Sequence, residues 1–156
     1  MQYDVPYGAV SRTNYFYPSQ DLNSYAVQQG TVALDSDVTI YDRTTVRFTA
    51  SSSGVGFMAG IKVIVPVTGV YTASVTIRST RVSAMKSFDV TMGGVVIPLS
   101  LEDPEIISAI TVTAELTAGE NTIWIAPGEG EEVLAGDTMF LGGVLVEAGS
   151  AVGEFF

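Results

Sequence analysis

The chain is 156 residues long, with seventeen Asp and Glu against seven Lys and Arg, a formal charge of −10, and neither cysteine nor histidine. Disulfides and thiolate chemistry are therefore excluded, the commonest general base and metal ligand is missing, and an acidic chain with scattered bases predicts no nucleic-acid partner. A hydrophobic share of 47% beside 15% charged residues, where about 25% charged is ordinary, predicts one domain with apolar surface that meets other protein.

The first segment, 1–29, carries Tyr3, Tyr7, Tyr15, Phe16, Tyr17 and Tyr25 among Pro, Ser, Asn and Gln. No helical period or strand alternation links these rings. The segment reads as an extended aromatic arm, with Tyr15–Tyr17 packed on their own domain and Tyr3 and Tyr7 docked on another subunit or a partner. It has neither a basic n-region nor an apolar h-region, so no secretory signal is expected.

From Gly30 the pattern becomes strands, and residues 30–156 read as the sandwich domain. Strands are predicted at 31–34, 37–41 and 45–50, with Val38, Ile40, Val46 and Phe48 inward and Thr39, Tyr41, Thr45 and Arg47 outward. The apolar run 55–70 is broken by Lys62 and Pro66, so no membrane insertion is expected. The cleanest alternation sets Tyr71, Ala73, Val75 and Ile77 on one face and Thr72, Ser74, Thr76 and Arg78 on the other. Residues 87–92 and 95–99 form a hairpin across Gly93-Gly94, a pair suited to a two-residue turn. Ile110, Val112, Ala114 and Leu116 alternate with Thr111, Thr113 and Glu115, and residues 122–126 follow as a further strand.

The last run, 137–149, is apolar or glycine throughout 139–146. Both its faces should be covered, which places it inside a sheet, with Gly142-Gly143 marking a bulge or close backbone approach. Nothing shows a 3.6-residue period over a useful length. The fold class is all-β, an antiparallel β-sandwich or jelly roll.

Four pieces in order carry a likeness. Val65-Pro-Val-Thr-Gly-Val-Tyr-Thr-Ala-Ser-Val-Thr-Ile resembles the "pG-x-x-Y-T-x-S" strand of galactose-binding-like jelly rolls, a group that includes carbohydrate-binding modules and phage tail domains. Asn14-Tyr-Phe-Tyr-Pro-Ser is similar to their opening turn, and Gly119-Glu-Asn-Thr-Ile-Trp-Ile to a late strand. The stretch from Gly136 through Glu147 to Phe155 and Phe156 resembles the closing strand and tail most typical of phage virion proteins. Relatives that hold a structural calcium supply an aspartate where this chain has Gly142. Only Asp21 or Glu147 would be left to contribute, so neither metal nor cofactor is expected.

Trp124 alternates with Ile123 and Ile125 and so faces away from the core. With a tyrosine, taken as Tyr41, it could form an aromatic platform for a sugar; the alternative is a second layer or a subunit contact. Glu129, Glu131 and Glu132 share a glycine-rich loop, and Asp35, Asp37 and Asp42 flank a strand. A solvated cluster gives no reason for two carboxylates to divide into acid and base, and without histidine there is no ordinary triad. An enzyme is not expected. The resemblance implies a structural protein of a phage virion, tail-associated or decorating the capsid, made in the host cytoplasm and acting by assembly. Its partners would be other virion proteins and itself, a trimer by expectation, through Tyr3, Tyr7, Phe155 and Phe156. The alternative is a glycan-binding module that recognises a cell-surface receptor.

Overall fold

A computed structural model describes residues 3–7, 10–16, 21–40, 43–54, 56–79, 87–100, 108–128 and 131–150. Its strands are β1 (Tyr3–Tyr7), β2 (Val10–Asn14), β3 (Tyr25–Gln28), β4 (Gly30–Ile40), β5 (Arg43–Ala50), β6 (Met58–Val65), β7 (Gly69–Ser79), β8 (Ser87–Met92), β9 (Val95–Ser100), β10 (Ser108–Leu116), β11 (Gly119–Pro127) and β12 (Thr138–Ala148). Among the described residues the one helical element is a single 3₁₀ turn, Leu22–Ser24, capped by the Asp21 carboxylate on the Asn23 N–H. Two five-stranded antiparallel sheets, ordered β10-β7-β12-β5-β4 and β3-β6-β11-β8-β9, make the sandwich, and β1 pairs with β2 as a separate ribbon.

The inward residues of both sheets form one core. Val46 and Phe48 of β5, Tyr71 to Ile77 of β7 and Met139 to Val146 of β12 meet Ile61 and Val63 of β6, Phe88 and Val90 of β8, and Ile123 and Ile125 of β11. Period-two alternation is what lets each strand bury one row here. The β8–β9 hairpin turns through Gly93 and Gly94 at φ of 57° and 83°, the left-handed pair that a type I′ turn requires.

β12 lies inside its sheet, hydrogen-bonded to β7 along one edge and to β5 along the other. Its register slips between Gly142 and Leu145, and Gly143 takes φ 55°. The slip exchanges the faces: Met139 and Leu141 point to the core before it, Val144 and Val146 after it. Phe140 and Leu145 are buried on the opposite face with Ile40. Both faces are covered, as the unbroken apolar run implies.

Several readings are corrected. The segments expected at 31–34 and 37–41 are, as far as Ile40, one strand, β4, with its irregularity between Asp35 and Thr39. The cause is local: the Asp35 carboxylate accepts from the N–H groups of Asp37 and Val38 and folds a small turn into the strand. The Val38 N–H above all, with Asp37 N–H and the Arg47 guanidinium at 2.7 Å, holds this carboxyl below the usual carboxylate range against the opposing effect of burial. Thr45 is buried rather than outward, its hydroxyl donating to Val38 O at 2.8 Å. Thr72 and Thr76 are buried too; Thr72 donates to Gly149 O at 2.7 Å and its hydroxyl lies 2.9 Å from that of Thr113. The outer face of this sheet is a second layer, in which the Thr72 hydroxyl is satisfied while that of Thr76 is buried with no hydrogen-bond partner among the described residues.

Three strands lie where a plain extended arm is expected. Tyr25 begins β3, and its ring meets Phe16 at 5.5 Å and Phe48 at 5.8 Å, edge to face in both pairs. Burial, and after it the Asp21 carboxylate, push the Tyr25 phenol above its ordinary value. The fold therefore keeps the neutral ring. Its contribution is complete below about pH 10, the unfolded value, and is lost as pH rises above it, because the unfolded chain ionises first. Tyr25→Phe should lessen the loss of stability on alkalinisation. Denaturant titrations between about pH 9 and 11 that fall equally steeply in both proteins would refute this.

Candidate functional site

Trp124 stands on the outer face of the β3-β6-β11-β8-β9 sheet, half-buried. Its neighbours across the strands are Gly60 on β6 and Thr91 on β8, and Ala26 and Val96 extend the same row. A Cβ at Gly60 would come within 2.8 Å of Cζ3 of the indole. The bare glycine is what lets the ring lie down across β6.

The next row along β11 pairs Thr122 with Lys62, and beyond it Glu120 pairs with Ile64. On the other side Ala126 pairs with Asp89, which pairs with Pro98. Cross-strand and diagonal neighbours on one sheet face lie within reach of one another's side chains. Trp124 is thus flanked by Thr91, Asp89, Thr122 and Lys62. Val96 at the far edge is 54% exposed and Ile64 is 55% exposed, so the face is open to solvent on both sides of the indole.

At the Ile64 end the face runs into a cleft of about 100 Å³ lined by Tyr15, Asn23, Lys62, Ile64 and Glu120 among others. The N-terminal segment forms its wall. Tyr15 is held there because its N–H donates to Val146 O at 2.9 Å and its ring packs edge to face on Tyr71 at 5.5 Å. Such a volume falls below the roughly 300–1,000 Å³ of a pocket that swallows a small molecule. It suits one end of a longer ligand.

Of the other expected site residues, Tyr41, Phe155 and Phe156 lie outside the described residues, as do Asp42 and Glu129. The backbone of Tyr3 pairs with Asn14 and that of Tyr7 with Val10; their side chains lie outside what is described. Gly60, Lys62 and Glu120 were not singled out by the sequence, because cross-strand pairing between residues about sixty apart leaves no local signal.

Among the described residues no three Asp or Glu side chains gather as a metal site would require. A Cβ at Gly142, where the likeness to calcium-holding jelly rolls would imply an aspartate, would meet the Ile40 Cβ at 3.1 Å. A side chain there would press on Ile40, which would have to give by a few tenths of an ångström.

No protein-family model matches the sequence, and no curated protein matches it. Solved structures do. The TmCBM61 module in complex with β-1,4-galactotriose is 15% identical, with a TM-score of 0.58 over 87% of this chain and 99% of that one. A CBM4 structure is 13% identical, at 0.55 over 87% and 97%. The GH26-CBM35 β-(1,4)-mannanase of Podospora anserina is 18% identical, at 0.51 over 87% of this chain and 28% of that one. The fold is the jelly-roll sandwich of carbohydrate-binding modules.

Proposed function

We propose that this protein is a non-catalytic glycan-binding module whose platform is Trp124. The observation that carries the reading is the indole laid over Gly60 on an open sheet face, with Thr91, Asp89, Thr122 and Lys62 around it. A pyranose presents an apolar C–H face that packs on an aromatic ring and hydroxyls at its rim that both donate and accept. A flat indole with polar side chains beside it answers both. The likeness to carbohydrate-binding modules supports the same reading, and the galactotriose of the TmCBM61 complex suggests the first ligand to try. A binding role without catalysis accords with a chain that has no histidine or cysteine.

The test is a glycan array of neutral and acidic oligosaccharides, followed by calorimetry on those retained. Trp124→Ala should lower affinity at least about 30-fold, the worth of a binding hot spot of about 2 kcal/mol. Its thermal midpoint should move little, since the ring is half-exposed. Equal affinity in the two proteins, or no glycan retained, would overturn the reading.

A second reading, assembly with itself and other proteins of a phage virion, has its own observation. Val67 at 62% exposed and Val70 at 47% stand out at one end of the sandwich around the β6–β7 turn, beyond the cleft. Two aliphatics in four residues on solvent suit a buried contact. Together with the tail's likeness to virion proteins, this supports a virion-borne module that recognises a cell-surface glycan. Light scattering that gives the 16.5 kDa monomer mass at high micromolar concentration would remove the self-assembly part.

A further inference from the structure

Resting on the glycan-binding reading, we propose that the ligand runs along β6 and β11 from the Trp124 indole into the cleft beside Tyr15. The site then takes a neutral oligosaccharide, and Lys62 and Glu120 read its far end. Three observations join the two places. Gly60, Lys62 and Ile64 follow one another on the outward side of β6, the first beneath the indole and the other two lining the cleft. Trp124, Thr122 and Glu120 follow one another on the neighbouring strand β11, and Glu120 lines the cleft. Lys62 therefore belongs to both surroundings, and adjacent residues of β6 and β11 join them along this row.

Trp124 and Glu120 are four residues apart on one strand, about 13 Å at the usual rise. One pyranose stacked on the indole cannot reach the cleft; a chain of several can. The cleft offers the Lys62 ammonium as donor, the Glu120 carboxylate as acceptor and the Asn23 side-chain amide as both. Donors and acceptors facing one another suit sugar hydroxyls, each of which can give and take a hydrogen bond.

Charge decides against an acidic sugar. Among the described residues Lys62 is the single base on this face, set against Asp89 on β8 and Glu120 on β11, in a chain of net charge −10. A uronate would meet more repulsion than attraction.

Calorimetry with β-1,4-galacto-oligosaccharides and cello-oligosaccharides of graded length, one sugar upward, tests this on the intact chain. Affinity should rise at least about tenfold once the ligand can span both places, the worth of one hydrogen bond to a charged group, and then level off. Lys62→Ala and Glu120→Gln should each remove most of that gain. Binding that depends on Trp124 but not on length, Lys62 or Glu120 would overturn the proposal and leave the glycan-binding reading standing. Tighter binding of oligogalacturonate than of the neutral chain would overturn the neutral assignment. If no probe binds the unaltered protein, the reading falls and the proposal with it.

Discussion

Phe48→Ala should cost about 3–5 kcal/mol of stability, the usual result of emptying a buried aromatic site. Phe48 has no exposure and sits on β5 between Val32 of β4 and Met139 of β12. Its ring faces Tyr25 of the opposite sheet at 5.8 Å, and Tyr25 in turn meets Phe16. The three rings run from the N-terminal segment to the centre of the sandwich, so the void would open where the two sheets and that segment join. A domain of this size holds about 5–15 kcal/mol in all. The thermal midpoint should therefore fall by on the order of 10 °C, and Phe48→Leu should lose clearly less. A double-mutant cycle of Phe48→Ala with Tyr25→Ala should show a coupling of about 0.5–1.5 kcal/mol from the edge-to-face pair. A loss below about 1 kcal/mol for Phe48→Ala, near the average of ordinary substitutions, would mean the core collapses around the gap and that this contact is not its centre.

What could be read from the sequence was whatever strand periodicity and turn chemistry carry locally. The alternation over 71–78 gives β7, Gly93-Gly94 gives the β8–β9 turn, and the doubly apolar run around Gly142-Gly143 gives an interior β12 with its bulge. Trp124 could be turned away from the core by its neighbours Ile123 and Ile125. What could not be read depends on pairing across long separations. Nothing near Gly60 says that an indole will lie on it, and nothing near Lys62 says that β11 and the N-terminal segment will close a cleft beside it. The threonines of β7 misled for another reason. A polar residue in an alternating strand reads as solvent-facing, yet Thr72 and Thr76 are under cover. Strand β3 is four residues of mixed polarity and has no signature of its own; it is a strand because β6 is beside it.

Asn14→Ala is expected to be the most damaging change of a polar side chain, costing at least about 3 kcal/mol, since three buried groups lose partners at about 1–3 kcal/mol each. Beyond its bulge β12 no longer pairs with β5, whose register with it ends at Leu141 and Val46. The backbone groups of Val144 and Val146 would be left without partners inside the protein. The Asn14 side chain, 3% exposed, supplies them: its amide donates to Val144 O at 3.1 Å, and its carbonyl accepts from Val146 N–H and Phe16 N–H, each at 3.0 Å. With the Tyr15 N–H on Val146 O, one side chain and one peptide act as a two-residue strand. Asparagine is required because a donor and an acceptor must be offered together. Asn14→Asp keeps the acceptor and turns a carboxylate toward the Val144 carbonyl. Protonation would restore the donor, so the buried carboxyl should have a raised folded pKa. Its contribution would then be present below about pH 4, the unfolded value, and lost as pH rises through the raised one. Relative to the unaltered chain, Asn14→Asp should therefore be less destabilised near pH 4 than at pH 7. Denaturant titrations at the two pH values read this directly. A deficit independent of pH would mean that the Val144 bond is not what the amide is there for, and an undiminished stability in Asn14→Ala would show that water replaces the side chain at the bulge.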